Sequence, residues 1–434
     1  MHASTTDPLS PRAFNRQDYK TLTLSALGGA LEFYDFVIFV FFASVMSRLF
    51  FPADMPEWLR MFQTFGVFAS GYLARPLGGI IMAHFGDKVG RKRLFVFSIL
   101  LMSIPSLIMG LLPTYATVGY WAPVLLVLMR MCQGAAIGGE APGAWVFVTE
   151  HVPRSHTSVA CGALSLGLAA GILLGSAVAV VCNRIFDEAE LLAGAWRLPF
   201  VLGGVLGLLT LWLRRYLHET PIFAEMQARK ALDDSLPLKR VVCDHGKGVF
   251  LSMAVTWVLT GAIVVGLLMM PTLMQGLGVE RTTALQANSL AIAMTMVGCL
   301  VSGRLGDRIG NALVLAVFSF GLAVSFIFFY VGMVRGETYL YTSYAVVGFF
   351  IGIVGVIPAI MVDAFPAAIR FSGVSFAYNV AYAVLGGLTP MVLSLAMSHT
   401  VMAPVYYLIG LSLLGIGTGL YMLFTQTPKM EQHA

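Results

Sequence analysis

The sequence predicts an all-α membrane protein: twelve transmembrane helices in two six-helix bundles, with both termini cytoplasmic. Three observations carry that expectation. Of 434 residues, 58% are hydrophobic and only 11% charged, with a mean hydropathy of +0.82, which is more apolar surface than a soluble core can hide. Twelve runs approach the roughly 20 apolar residues that cross a bilayer as a helix. The polar island Gly86-Asp87-Lys88-Val89-Gly90-Arg91-Lys92-Arg93 returns in outline, 220 residues later, as Gly306-Asp307-Arg308-Ile309-Gly310. That offset is about half the chain, as two similar membrane halves in tandem require.

Taken in order, the runs are 22–47, 60–85, 94–113, 120–145, 157–182 and 196–213, then 249–275, 284–303, 311–334, 339–362, 372–397 and 401–424. They are continuously apolar, whereas barrel strands would alternate in polarity over about ten residues. The expected organisation is therefore an N-terminal bundle (1–217), a cytoplasmic linker (218–247) and a C-terminal bundle (248–434). Within the linker, Pro221 at a helix start, Glu225 with Arg229 four residues on, and apolar Ile222, Phe223, Met226 and Leu232 predict a short amphipathic helix before Pro237.

Basic residues orient the chain. An even number of spans puts both termini on one side, and 19 of the 27 Lys and Arg fall there, against six in the opposite loops. By the positive-inside rule that side is cytoplasmic. The formal charge of +5 then reports topology and contact with anionic lipid, not nucleic-acid binding. Residues 1–20 lack the pattern of a signal peptide, so the first span is expected to remain. The five cysteines show neither an oxidising-side pair nor a metal-ligand spacing, and no metal or cofactor is expected.

The chemistry lies in five charges within the runs: Glu32, Asp35, Arg75, Arg130 and Glu140, all in the first half. A charge at the bilayer centre costs at least ~2.5 kcal/mol, so such residues are functional candidates by default. At 1.5 Å per residue, Glu32, Arg75 and Arg130 lie near mid-depth, roughly 15 Å from a span end, with Glu140 nearer the cytoplasm. Glu32, Asp35, Phe36 and Phe39 share one helix side by spacing, as do Arg130, Gln133, Ile137 and Glu140. The economical arrangement turns both stripes toward one cavity, where acids and guanidinium groups offset each other's burial. Three acids against two bases leave one carboxylate in excess, able to take up and release a proton.

Other function classes fit less well. An intramembrane enzyme needs a nucleophile–base or metal set at depth, yet none of the eight histidines lies mid-span, and no P-loop is present. At the islands, Asp87 and Asp307 can each reach a neighbouring helix N-terminus or an arginine, while Arg91 and its basic neighbours hold the loop inside. A gating latch is expected there.

The motifs resemble those of the major facilitator superfamily. Gly86 to Arg93 is similar to its cytoplasmic loop signature, and Arg130-Met131-Cys132-Gln133-Gly134 to its fourth-helix R-x-x-Q-G signature, associated with proton coupling. The metabolite:proton symporter branch is resembled by Glu32-Phe33-Tyr34-Asp35-Phe36, Arg75-Pro76-Leu77-Gly78, Gly138-Gly139-Glu140 with Glu150-His151, and Trp196-Arg197-Leu198-Pro199-Phe200. Glu219-Thr220-Pro221-Ile222-Phe223, Phe365-Pro366, Arg370, Tyr378-Asn379 and Gly386-Gly387 with Pro390 extend the likeness over nearly the whole chain. Departures are Ala83 for the opening glycine of the first loop, Asn311-Ala312-Leu313 for trailing basic residues of the second, and Asp363 for a common glutamate.

The resemblance implies a multi-pass symporter of the bacterial inner membrane, monomeric, working by alternating access on a small organic anion or zwitterion. Two mid-depth arginines favour a carboxylate such as citrate or a dicarboxylate; the aromatic wall of Tyr34, Phe36 and Phe39 equally suits a zwitterionic osmolyte such as proline or betaine. An exporter of a carboxylate, or a non-transporting sensor, shares the same features. Expected proton-coupling residues are Glu32, Asp35, Arg130 and Glu140. Expected substrate contacts are Tyr34, Arg75, Arg130, Gln133, Asn288, Tyr378 and Asn379, and expected gating residues are Asp87, Arg91, Asp307, Asp363 and Arg370.

Overall fold

The computed structural model describes residues 16–89, 91–213, 237–336, 339–366 and 369–426, and no strand occurs among them. The six helices of the first half are α1 (Arg16–Phe41), α2 (Glu57–Val89), α3 (Arg91–Leu111), α4 (Trp121–His151), α5 (Thr157–Ile185) and α6 (Arg197–Leu213). The second half holds α7 (Gly246–Ile263), α8 (Arg281–Ile309), α9 (Asn311–Val334), α10 (Leu340–Ile351), α11 (Arg370–Ala381) and α12 (Ala403–Gln426). Among the described residues nine helices are long and apolar enough to cross a bilayer, ten if the bent pair Glu188–Ala195 and Arg197–Trp212 is one span. The other two expected runs are helical as α2 and α3, the latter contributing the shorter apolar stretch Phe97–Leu111. The linker segment around Pro221 to Leu232, with the Glu219–Phe223 motif, lies outside the described residues, as do the side chains of Asp87 and Arg91.

Within the first half, α1 packs on α5 and α6, α2 on α4, and α3 on α4 and α6; within the second, α7 packs on α11 and α12, α8 on α10, and α9 on α10 and α12. The halves meet along α5 with α8 and along α2 with α11. Shifting the numbering by six exchanges these two pairs, as tandem repeats around a central axis demand.

Glycines set how close the helices come. A Cβ on Gly134 would collide with the Gly71 carbonyl, and one on Gly138 with the Arg75 carbonyl. α2 and α4 therefore touch backbone to backbone, as small residues four apart permit in membranes. This is the physical reason for the glycine after Gln133, and it holds Arg75 and Arg130 at adjacent levels. Elsewhere, Arg197 Nη1 donates to the Gly110 and Leu112 carbonyls at 2.9 and 3.0 Å, placing a cation on the C-terminus of α3, where the helix dipole favours it.

Prolines break the second half where it faces the first. α7 runs into a wide turn, Val264–Leu268, before Pro271, and α11 into another, Tyr382–Gly386, before Pro390. Their i+5 bonds are Met269 N to Val264 O at 2.8 Å and Gly387 N to Tyr382 O at 2.9 Å. Each proline lacks the N–H that would continue the α-helical ladder, and such turns re-aim side chains. α10 tightens instead through Gly352–Gly355 before Pro358. Pro358 cannot donate to the Val354 carbonyl, and the Ser165 hydroxyl of α5 donates to it at 3.1 Å.

Candidate functional site

The five intramembrane charges are each no more than 7% exposed, so none faces lipid. They divide among three neighbourhoods instead of the single cavity that spacing predicts. The first is a cavity of about 30 Å³, room for one or two waters, with Glu32 and Phe33 of α1, Ile137 and Glu140 of α4, and Leu164 and Leu168 of α5 in its wall. The stripe on α4 thus turns as its spacing says, and brings Glu140 to the same space as Glu32.

The second neighbourhood surrounds Arg130. Its Nη1 donates to the Phe36 carbonyl at 3.0 Å and to Gln133 Oε1 at 2.8 Å, and Gln133 Nε2 donates to Ser106 Oγ at 2.5 Å. Its guanidinium carbon stands 4.4, 4.9 and 5.6 Å from the ring centres of Phe36, Phe39 and Phe68, within cation–π range. Asp35 shares this setting, with Ser106 and Arg130 as polar neighbours, yet neither carboxylate oxygen is in hydrogen-bond geometry with a described residue. A Cβ on Gly203 of α6 would strike Asp35 Oδ1, so Asp35 leans toward α6 while Glu32 leans toward α5. The α1 stripe is split between two faces.

The third lies on the seam. Arg75 of α2 lies against Tyr72 of its own helix, Tyr378 of α11 and Tyr382 of the wide turn that follows it, 5.6, 5.1 and 4.4 Å from the ring centres. Its Nε and Nη2 are buried without a hydrogen-bond partner among the described residues. Beside it, Asn379 Nδ2 donates to the Gly138 carbonyl of α4 at 2.5 Å, and Trp145 packs edge-on against Tyr378 at 5.0 Å. Sequence motifs do not single out Tyr72 and Tyr382. Their signal was present as Tyr72 three residues before Arg75 and Tyr382 four after Tyr378, but tyrosines are common in such helices.

Two expected contacts turn elsewhere. Tyr34 donates to the Pro199 carbonyl of α6 at 2.8 Å, and Asn288 Oδ1 accepts from Tyr344 at 2.5 Å, inside its own half. Both side chains are fully buried there.

Polar contacts close the seam at both ends. Asp307 of α8 accepts the backbone N–H groups of Ser158 and Val159, in the first turn of α5, at 2.8 and 2.9 Å, and Ser158 Oγ donates to Asn311 Oδ1 at 2.7 Å. Arg370 lies 3.9 Å from Glu150, and Asp363 has Arg370 and Arg154 as its nearest cations. At the far end of α5, Ser176 Oγ is 2.8 Å from Ser289 Oγ of α8; nearby, inside the first half, Arg48 pairs with Glu188. Nothing among the described residues groups three metal-ligating side chains, and all five cysteines are free.

Comparison with known proteins is consistent with this geometry. Residues 25–390 match the Major Facilitator Superfamily. The glycine betaine/proline/ectoine/pipecolic acid transporter OusA of Dickeya dadantii (strain 3937) is 32% identical over 430 residues, covering 95% of this chain and 84% of that one. The proline/betaine transporter of Salmonella typhimurium (strain LT2) is 32% identical over 433 residues, covering 95% and 85%. Among solved structures, a partially occluded inward-open form of the xylose transporter XylE from E. coli superposes with a TM-score of 0.74 at 16% identity, over 94% of this chain and 98% of that one. Tandem halves, charges buried among the helices and these likenesses agree: the chain belongs to the Major Facilitator Superfamily and is a multi-pass membrane transporter, not an enzyme.

Proposed function

We propose that this protein carries a zwitterionic osmolyte of the proline or betaine type into the cell together with a proton. The observation that carries the reading is Arg75: a buried guanidinium on the seam, with Nε and Nη2 unbonded and aromatic faces around it, offers a carboxylate partner and a cation-accepting surface side by side. Relatives named for proline and betaine, at 32% identity along 95% of the chain, support it. The anionic preference that two arginines suggest is then met by the carboxylate end of the zwitterion, so a citrate-like cargo is the weaker reading.

In this scheme a proton neutralises Asp35, relieving the charge beside Arg130, while Glu32 and Glu140 pass it through their shared cavity. Asp307, Asp363 and Arg370 latch one end of the seam, and Asn379 supports it. The frame is twelve spans in bundles 1–217 and 248–434, joined by the linker 218–247, a monomer in a bacterial inner membrane with termini and latch cytoplasmic.

The test is uptake of radiolabelled glycine betaine, proline and citrate by proteoliposomes under imposed pH gradients of both signs. Betaine or proline accumulating only when the outside is acidic supports the reading. Citrate accumulation without either would replace it.

A further inference from the structure

We propose that Tyr72, Tyr378 and Tyr382 form the receptor for the substrate's ammonium group, and that Arg75 fills it until substrate arrives, then turns to bind the substrate's carboxylate. This rests on the zwitterion reading above and names its binding subsite.

Two buried arginines allow an internal comparison. Each guanidinium lies against three aromatic rings. Arg130 is also fastened by hydrogen bonds to the Phe36 carbonyl and Gln133. Both arginines leave Nε and Nη2 unbonded among the described residues; the difference is that Arg130 is anchored to a carbonyl and an amide, whereas the hydrogen-bonding neighbour of Arg75 is the Tyr378 hydroxyl. A guanidinium with five donors is poorly served by a surface of π faces. A quaternary ammonium has no donor to leave unsatisfied, and π faces are the surface that suits it.

The rings form one aromatic wall, against whose free side such a group can rest. Tyr72 and Tyr382 stack at 5.1 Å with planes 8° apart, and Tyr378 meets Tyr382 at 5.0 Å and 62°. All three rings are buried. Tyr382 reaches this position from the wide turn before Pro390, so a break in α11 aims it. The exchange also balances charge: one cation leaves the rings and another enters, while the carboxylate neutralises the departing guanidinium through its Nε–Nη2 fork. Because α2 supplies one ring, and α11 with the wide turn after it supplies two, a filled receptor favours the closed seam, which links binding to movement of the halves.

The test measures binding of tetramethylammonium, a cation with no carboxylate, and of glycine betaine to the full-length protein in lipid nanodiscs. With Arg75→Ala, tetramethylammonium should bind about tenfold tighter and glycine betaine about tenfold weaker. Adding Tyr382→Leu should cancel the tetramethylammonium gain, and Tyr382→Phe in its place should restore most of it. Arg75→Gln serves the same purpose should Arg75→Ala not yield monodisperse protein. Unchanged tetramethylammonium affinity on removing Arg75, or a gain that survives Tyr382→Leu, overturns the proposal. If wild type binds neither glycine betaine nor proline, the zwitterion reading falls, while the tetramethylammonium gain still decides whether the tyrosines accept a cation.

Discussion

Asp307 of α8 caps α5 across the seam, its two carboxylate oxygens accepting the N–H groups of Ser158 and Val159 at 2.8 and 2.9 Å. First-turn N–H groups have no partner within their own helix, and the positive end of the helix dipole favours an anion there. A cap supplied by the other half ties helix stability to the closed seam.

Asp307→Ala should therefore weaken closure at that end by about 1 kcal/mol, raising the open population about fivefold. Cys161 reports it. This thiol is fully buried, next to Gly162, where an added Cβ would strike the Cys299 carbonyl of α8. Maleimide labelling of Cys161, with Cys132 and Cys243 replaced by serine, should accelerate in the variant. Equal labelling rates would show that the cap does not hold the seam.

Asn379→Leu removes the donor to the Gly138 carbonyl at similar volume. An orphaned buried carbonyl costs about 1–3 kcal/mol, so the thermal midpoint in detergent should drop by several degrees and transport should slow. Asn379→Asp should be worse, since a carboxylate would face that carbonyl. A midpoint unchanged in both variants would mean that the bond is not made in the membrane.

How much of this site is legible in the sequence depends on whether a feature is local. Arg130 and Gln133, three residues apart, are neighbours in any α-helix, and their bond follows from spacing. The reach of Asp307 to a helix N-terminus follows from its place in a turn. The rotation of one apolar helix against another does not, because a helix apolar on all sides gives no preferred face. For α1 that rotation is decided by contacts such as Gly171 of α5 on the Ala30 carbonyl and Gly203 of α6 on Asp35, which set Asp35 and Tyr34 against α6 and leave Glu32 at the cavity beside α5. Tyr382 is harder still, since its aim depends on the wide turn before Pro390.

The glycine contact between α2 and α4 gives a stability test. Gly134→Ala forces a Cβ into the Gly71 carbonyl, an overpacking that costs about 1–3 kcal/mol and should lower the yield of folded protein. Gly276→Ala is the matched control: its added Cβ meets nothing within 4 Å, and its effect should stay within about 0.5 kcal/mol. If both variants fold equally well, close approach of the two helices is not what the glycine provides.

Asp35→Asn separates coupling from carriage. The side chain keeps its shape in the narrow space against Gly203, so packing is preserved while the charge beside Arg130 is lost for good. A carrier fixed in this neutral form can still exchange substrate for substrate, because exchange needs no net proton movement, but it cannot draw work from a pH gradient. Counterflow of betaine should therefore persist within several-fold of wild type, and accumulation above equilibrium should vanish. Glu32→Gln and Glu140→Gln, which alter the other cavity, should slow net uptake while leaving some gradient-driven accumulation. If Asp35→Asn still concentrates substrate and either glutamine variant does not, the proton is carried in the Glu32–Glu140 cavity, and Asp35 is a fixed counter-ion of Arg130.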